Sequence, residues 1–266
     1  MSSFSRTGLW GAADAYERYM GRWSRGVAPL FLDWLGAPPG RAWADIGCGT
    51  GELSLGIARR CAPGRLVGID PSRAFLDRAA SRVPGAEFRE GDAALLDLPD
   101  AGFDYAVSGL VLNFLPDKAA GLAEMARVVR PGGTVALYVW DYAGHMQIMR
   151  RFFDAARLVD PASSAYDDGI NAPICRPEPL REAFRAAGLA APETTALDIP
   201  AAFAGFDDYW EPFLGGTGSA PKYCASLDES TRDRIRDMLR ERLPTGPDGE
   251  ILLAVRAWGV RGTVPG

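Results

Sequence analysis

The sequence predicts an α/β protein built on a doubly wound, mainly parallel sheet. Three observations carry that prediction. From 42 to about 140, short apolar runs alternate with amphipathic stretches, as β-α-β units do. The first run ends in an acid and a glycine-rich turn, Asp45-Ile46-Gly47-Cys48-Gly49-Thr50-Gly51, and helix-forming residues follow at once. A strong β-type run at 250–260 follows the turn Gly246-Pro247-Asp248-Gly249. Alternation of this kind places helices on both faces of one sheet.

The elements follow in order. Ala42–Ile46 reads as a strand and 52–61 as a helix. A second strand, 65–69, is closed by Asp70-Pro71-Ser72; proline is tolerated in a first helical turn, so 72–82 is the next helix. The short strand 86–89 ends at Glu90-Gly91-Asp92, and 103–108 is the fourth strand. Apolar spacing at Leu122, Met125 and Val128/Val129 predicts a helix over 117–129. Arg130-Pro131-Gly132-Gly133 stops it, and 134–140 is a β-branched and aromatic fifth strand. Beyond 140 the alternation becomes irregular: helices at 144–159, 179–187, 206–214 and 229–243, a strand at 194–199, and loops at 160–176 and 215–222. The expected organisation is one domain over 1–266. A helical N-terminal cover (10–36) precedes the core (40–140), two insertions with core elements (141–248) and a final strand (249–262). The insertions are expected over the C-terminal edge of the strands, where open α/β sheets bind ligands.

Bulk composition narrows the class. Apolar residues make up 47% and charged residues 24%, ordinary for a soluble globular chain. A net charge of −5 gives no broad electrostatic grip on nucleic acid or anionic membrane. Lys118 and Lys222 are the only lysines, which with the alanine richness reads as base-composition bias. Cys48, Cys61, Cys175 and Cys224 show neither C-x-x-C pairing nor metal spacing, so reduced thiols and no metal are expected. The N-terminus lacks the apolar stretch of a signal peptide, and no run spans a bilayer. A cytoplasmic location is expected.

Chemistry concentrates at the glycine turn. Glycine accepts positive φ and carries no Cβ, so a ligand can approach the backbone closely. A dinucleotide fingerprint spaces its glycines G-x-G-x-x-G because a pyrophosphate sits on the helix N-terminus. Here the third glycine comes one residue early and Asp45 precedes the turn. An acid there attracts a cation, and S-adenosyl-L-methionine, with its sulfonium and ammonium, fits better than a pyrophosphate. Asp70 is placed to accept both hydroxyls of a ribose, or to cap the following helix. Asp92 can accept from the exocyclic amine of adenine while the Ala93 N–H reaches a ring nitrogen; a turn-forming aspartate is the alternative.

These segments resemble the ordered motifs of class I S-adenosylmethionine-dependent methyltransferases. The resemblance rests on the glycine turn, Gly68-Ile69-Asp70-Pro71-Ser72, Gly91-Asp92-Ala93 and Phe103-Asp104-Tyr105-Ala106-Val107-Ser108. It continues through Leu122 to Gly133 and covers about 40–140. The ubiquinone/menaquinone-biosynthesis-like small-molecule subgroup is the most similar. The resemblance implies a Rossmann-like, seven-stranded sheet whose last strand runs antiparallel. It also implies that Gly47, Gly49 and Gly51, with Thr50 between them, approach the methionine and ribose portions, that Pro71 flanks the ribose acid, that Ser108 lies near the cofactor's amino or methyl group, and that Asp45 helps neutralise the ammonium. Many relatives carry histidine at the place of Asn113, and quinone-type relatives often carry asparagine there. The stretch 141–248 matches nothing diagnostic.

The segment Tyr16-Glu17-Arg18-Tyr19-Met20-Gly21-Arg22-Trp23-Ser24 resembles cofactor covers in relatives. Tyr16, Tyr19 and Trp23 offer aromatic faces to a sulfonium, and Arg22 a partner for the methionine carboxylate. The same spacing suits a helix docked on a core. Methyl transfer is an in-line displacement that needs alignment and exclusion of water, with a base only where the nucleophile arrives protonated. His145, the sole histidine, Asp141 and Tyr142 are the candidate bases; a structural helix-start histidine is the alternative reading, and Asp207, Asp208 and Tyr209 are further candidates. Phe206, Tyr209, Trp210 and Phe213 either wall a substrate or pack the insertion. The sequence thus points to a small-molecule methyl acceptor. It shows neither the Asp/Asn-Pro-Pro-aromatic run of amino-methylating DNA enzymes nor a basic stripe. A nicotinamide oxidoreductase and a non-catalytic S-adenosylmethionine-binding protein are the alternatives.

Overall fold

Seven strands form one sheet in the order β3-β2-β1-β4-β5-β7-β6: β1 Ala42–Ile46, β2 Arg65–Asp70, β3 Glu87–Glu90, β4 Phe103–Gly109, β5 Val129–Trp140, β6 Ala190–Phe203 and β7 Ile251–Thr263. This computed structural model describes residues 21–216 and 218–266. The strands β1, β2, β3, β4 and β5 pair in parallel, and β7 runs antiparallel to β5, from Thr134 opposite Thr263 to Trp140 opposite Ala257. The seven-stranded sheet with a reversed last strand is the fold expected from the sequence.

Burial explains the strand assignments. The residues of β1 after Ala42 are all buried, as a central parallel strand covered on both faces requires. In β6, alternate residues are buried from Leu197 to Phe203, the signature of a strand with one wet face. The chain divides into two compact units. One comprises Val27–Trp140, Ile174–Leu197 and Ala257–Gly266; the other comprises 21–26 with Asp141–Pro173 and Asp198–Arg256. In the first, Trp43 stacks on Tyr105 at 4.3 Å, and Phe31 lies 4.8 Å from Tyr138. In the second, Phe152 stacks on Phe213 at 4.5 Å, with Phe153, Tyr209 and Tyr223 buried around them.

Most expected helices are present, at Arg22–Leu35, Glu52–Arg60, Arg73–Arg82, Lys118–Val128, Gln147–Val159, Pro177–Ala186 and Glu229–Arg242. Ser72, Asp117 and Asp228 cap three of them by accepting N–H groups of Phe75, Ala120 and Thr231. Several expectations need correcting. The helix expected from 144 starts at Gln147, because Asp141 draws the N–H groups of Gly144 and His145 into a turn. The expected loop 215–222 carries the start of a helix, Ser219–Ser226, that buries Ala220, Tyr223 and Cys224. The helix expected over 206–214 is Phe206–Trp210 followed by a tighter 3-10 turn, Glu211–Gly215. The expected loop 160–176 contains the 3-10 turn Pro161–Tyr166 and the short helix Asp168–Asn171, capped by Asp160 and Asp167. Among the described residues, no helix is long and apolar enough to cross a membrane.

Candidate functional site

Parallel register creates the site. Asp45 lies opposite Gly68 and Ile46 opposite Ile69, so the turn leaving β1 meets the end of β2. There the Ile69 carbonyl accepts the N–H groups of Gly47 (2.7 Å) and Cys48 (3.0 Å). Asp70 completes the clasp: one carboxylate oxygen accepts the Gly49 N–H at 2.9 Å, the other the Ser72 N–H at 2.9 Å. Burial pushes its carboxyl upward, against those two hydrogen bonds. The helix-capping alternative for Asp70 is not what the structure shows: Ser72 caps that helix, and Asp70 only accepts the N–H of the cap residue, a bond that ties the acid to the helix start. It does not exhaust the carboxylate, since each oxygen has a second acceptor site.

The glycines are not equivalent. At Gly47 (φ +72°) a Cβ would lie 2.7 Å from Val111, and at Gly51 2.9 Å from Ala79. Those two are glycines because protein is packed against them. At Gly49 (φ +53°) a Cβ would meet nothing within 4 Å. Gly49 is the one of the three whose missing side chain leaves open space beside the turn. Arg82 steadies the turn from the neighbouring helix, donating to the Thr50 carbonyl at 2.8 Å and to Glu52 at 2.6 Å.

Asp45 is fully buried at the end of β1. One oxygen accepts the Ser54 hydroxyl at 2.6 Å, and the other has no partner among the described residues. Burial pushes its carboxyl up to about 7, partly offset by Ser54, and nearby Asp70 adds to the rise. A buried acid with an orphaned oxygen favours a cationic ligand and opposes a pyrophosphate. Asp45 has no surface open to a ligand, so only its field can reach the turn from behind. Cys48 is buried and its thiol is pushed upward by desolvation, the opposite of an activated nucleophile.

The remaining cofactor candidates lie on neighbouring strand ends. Ser108 is buried on β4 and donates to the Ile46 carbonyl at 2.7 Å, tying β4 to β1. Asp92 is exposed, and one of its oxygens accepts the Ala94 N–H at 2.8 Å, so the turn-forming alternative operates there. Ala93 is half-buried and Pro71 is exposed. Leu110, just after β4, has φ +64°, a strained value for a leucine, and the adjacent Val111 packs on Gly47. Sequence reasoning missed this pair, because neither residue type signals a left-handed or ligand-adjacent turn.

Asp141, Tyr142 and His145 form a different cluster, in the other unit. Both Asp141 oxygens accept backbone N–H groups, of Gly144 (3.1 Å) and His145 (2.8 Å). The His145 ring is half-exposed, with Nδ1 3.7 Å from Asp141 and 3.4 Å from an Arg256 nitrogen. Tyr142 is buried, and its carbonyl accepts from Arg150. The loop thus displays the architecture of a turn cap. Arg22 meets Asp208 at 3.1 Å in that same unit, whereas the glycine turn and Asp70 belong to the other. Tyr16 and Tyr19 lie outside the described residues. Tyr209 and Phe213 are fully buried and Trp210 nearly so, which supports packing over a substrate wall; Asp207 is exposed beside Arg240.

Comparisons with known proteins bear on this geometry. Residues 44–137 match the family described as a methyltransferase domain. The demethylmenaquinone methyltransferase of Desulfitobacterium hafniense is 42% identical over 106 residues, 37% of this chain and 42% of that protein. The chain spans 34% and 42% of the length of two of the curated relatives it matches. The trans-aconitate 2-methyltransferase of Methylobacterium nodulans is 29% identical over 262 residues, 92% of this chain and 94% of the relative. Among solved structures, Haemonchus contortus phosphoethanolamine N-methyltransferase 2 with S-adenosylhomocysteine superposes with a TM-score of 0.61 at 16% identity, over 100% of this chain and 61% of that one, and shows the fold.

The sheet order, the reversed β7 and the glycine turn clasped by Asp70 form the fold of the class I S-adenosylmethionine-dependent methyltransferases, and residues 44–137 match a methyltransferase domain, whose cofactor is S-adenosylmethionine. Part of the chain is similar to quinone-type methyltransferases, the demethylmenaquinone enzyme among them. The nicotinamide oxidoreductase alternative finds no support among these relatives.

Proposed function

We propose that this chain transfers a methyl group from S-adenosylmethionine to a carboxylate oxygen of a small polycarboxylic acid. One observation carries the choice of acceptor. The similarity to a trans-aconitate 2-methyltransferase runs through 92% of the chain at 29% identity, whereas the quinone-type similarities cover 37% and 68% of it. The chemistry agrees. A carboxylic acid with an ordinary pKa of about 4 arrives ionised at neutral pH, so the reaction needs no general base. His145, Asp141 and Tyr142 then serve by holding their loop, which is what their hydrogen bonds do.

When bound, the cofactor supplies an electrophilic methyl on a positive sulfur that leaves as a neutral thioether. We assign Gly47, Gly49, Thr50 and Gly51 to its methionine–ribose portion, Asp70 and Pro71 to the ribose hydroxyls, and Asp92 and Ala93 to the adenine. Ser108 holds β4 at the height of the turn, and Asp45 supplies a compensating negative field. The orphaned Asp45 oxygen and the open side of Gly49 support this fit. We place the enzyme in the cytoplasm, where its four free cysteines remain reduced.

The test is incubation with methyl-labelled S-adenosylmethionine and trans-aconitate, or demethylmenaquinone in parallel. The expected outcome is label in a base-labile methyl ester, released as methanol in alkali. Base-stable label on the quinone overturns the carboxylate assignment. Cofactor binding without turnover on either acceptor favours a non-catalytic binding protein.

A further inference from the structure

The end of β4 makes an uncommon exit. Asp45 on β1 lies opposite Val107 on β4, so the two strands finish side by side. Past Gly109 the chain turns sharply. Leu110 takes φ +64°, a left-handed value that a bulky side chain adopts only where its surroundings force it. Those surroundings come from β5. The Tyr138 carbonyl accepts the Leu110 N–H at 2.8 Å, and the Tyr138 hydroxyl lies 2.6 Å from the place a Cβ on Gly109 would take. The Val111 carbonyl then accepts the Phe114 N–H at 2.8 Å and starts the 3-10 turn Leu112–Phe114.

This exit aims Val111 at the glycine turn. Both Val111 methyl groups lie 2.7 Å from the point where a Cβ on Gly47 would sit, so the valine fills the side-chain place of the first glycine. Ala79 does the same for Gly51, at 2.9 Å, while Gly49 between them faces open space. The turn is clamped at its outer glycines and free at its middle one. Gly47, Leu110, Val111 and Tyr138 all belong to one compact unit, the one that also holds Asp70. Glycine loses more backbone freedom on ordering than any other residue, so a turn with three of them is costly to hold in one shape. A turn already fixed spares that loss when its ligand arrives. Ile69 and Asp70 fix it by hydrogen bonds; Val111 fixes it by shape.

We propose that Val111, aimed by the Leu110 kink, is a positioning residue for cofactor binding, holding Gly47 and with it the glycine turn in shape before the cofactor arrives. Val111 acts through Gly47 and needs no contact of its own with the ligand. The proposal rests on the assignment of the turn to S-adenosylmethionine and is independent of which acceptor is methylated.

The experiment is calorimetric titration of S-adenosylhomocysteine into the full chain, for wild type, Val111→Ala, Val111→Thr, Gly47→Ala and the double variant Gly47→Ala/Val111→Ala. Val111→Ala removes both methyl groups and should weaken binding about tenfold, the order of one backbone residue's freedom. Threonine keeps the branched shape, so Val111→Thr should bind within about threefold of wild type. In Gly47→Ala the new methyl collides with Val111, and truncating the valine makes room for it. The double variant should therefore bind at least about threefold tighter than Gly47→Ala, although Val111→Ala alone weakens binding. General destabilisation adds and cannot produce that reversal of sign. Binding by Val111→Ala within about twofold of wild type overturns the proposal. So does an equal loss in Val111→Thr, or a double variant weaker than Gly47→Ala. Should Gly47→Ala fail to fold, the two single variants at 111 decide by the same criteria. Wild type that does not bind S-adenosylhomocysteine overturns the cofactor assignment, and the proposal with it.

Discussion

Replacing Asp45 with asparagine tests the electrostatic core of the site. The carboxyl is fully buried and its value rises from 3.8 to about 7, chiefly through desolvation, with the Ser54 hydroxyl pulling it back. Below 3.8 the group is neutral in both folded and unfolded chains and costs nothing. Between the two values the folded chain holds a proton that the unfolded chain has lost, so the stability contribution falls as pH rises. The fall is complete above about 7. Each pH unit in that window is worth about 1.4 kcal/mol, so the full cost of an ionised Asp45 in the cofactor-free protein is about 4 kcal/mol. Asparagine retains an acceptor for Ser54 and removes the charge. Urea unfolding of both proteins between pH 4 and pH 8 measures the effect, with the stability difference read at each pH. Carboxylates such as Asp104, Glu124 and Asp198, held low by arginine partners and hydrogen bonds, are common to both proteins and cancel. The expected result is a variant that gains about 4 kcal/mol on wild type from pH 4 to pH 8. A difference flat to within about 1 kcal/mol would refute the reasoning.

Three further outcomes follow from the site. Gly47→Ala should destabilise the protein by about 2–4 kcal/mol, from positive φ plus collision with Val111, as read by chemical denaturation. Gly49→Ala lacks the collision, so it should cost only about 1–2 kcal/mol of stability while sharply weakening S-adenosylhomocysteine binding, because the new methyl enters open space. Asp70→Asn turns one acceptor into a donor facing a backbone N–H, and should lower cofactor affinity at least about tenfold in calorimetry. His145→Gln should change kcat/KM by less than about threefold across pH 6–8, because an ionised acceptor needs no base; a loss of about 100-fold would reinstate His145 as the base.

The cofactor half was legible because its function lies in backbone shape. Three glycines at alternate positions after an acid, and an aspartate closing the next strand, are demands of turn geometry that only a few residue types meet. The structure refined their roles: Gly47 and Gly51 answer to Val111 and Ala79, and Gly49 alone of the three opens outward. The helix Ser219–Ser226 was read as a loop because Gly215, Gly216 and Gly218 precede it and Pro221 lies inside its first turn. Helix onset at Gln147 was misplaced because the Asp141 turn consumes the N–H groups that periodicity alone assigns to the helix. Arg22 shows the deeper limit. Its partner Asp208 lies 186 residues away, and nothing in local spacing links an arginine to an acid at that separation.

Asp45 and Arg22 share a property that bears on why each persists. Asp45 places an acid in the core with one oxygen unpaired, and Arg22 places two guanidinium donors where nothing among the described residues accepts them. Either group would leave a more stable protein if replaced by a neutral residue of similar shape, since unpaired buried charge is among the largest single costs a fold can carry. Local violations of this kind are expected where a ligand completes the pairing. The signs are opposite, so each calls for a different completing group: a cation beside Asp45 and an anion beside Arg22.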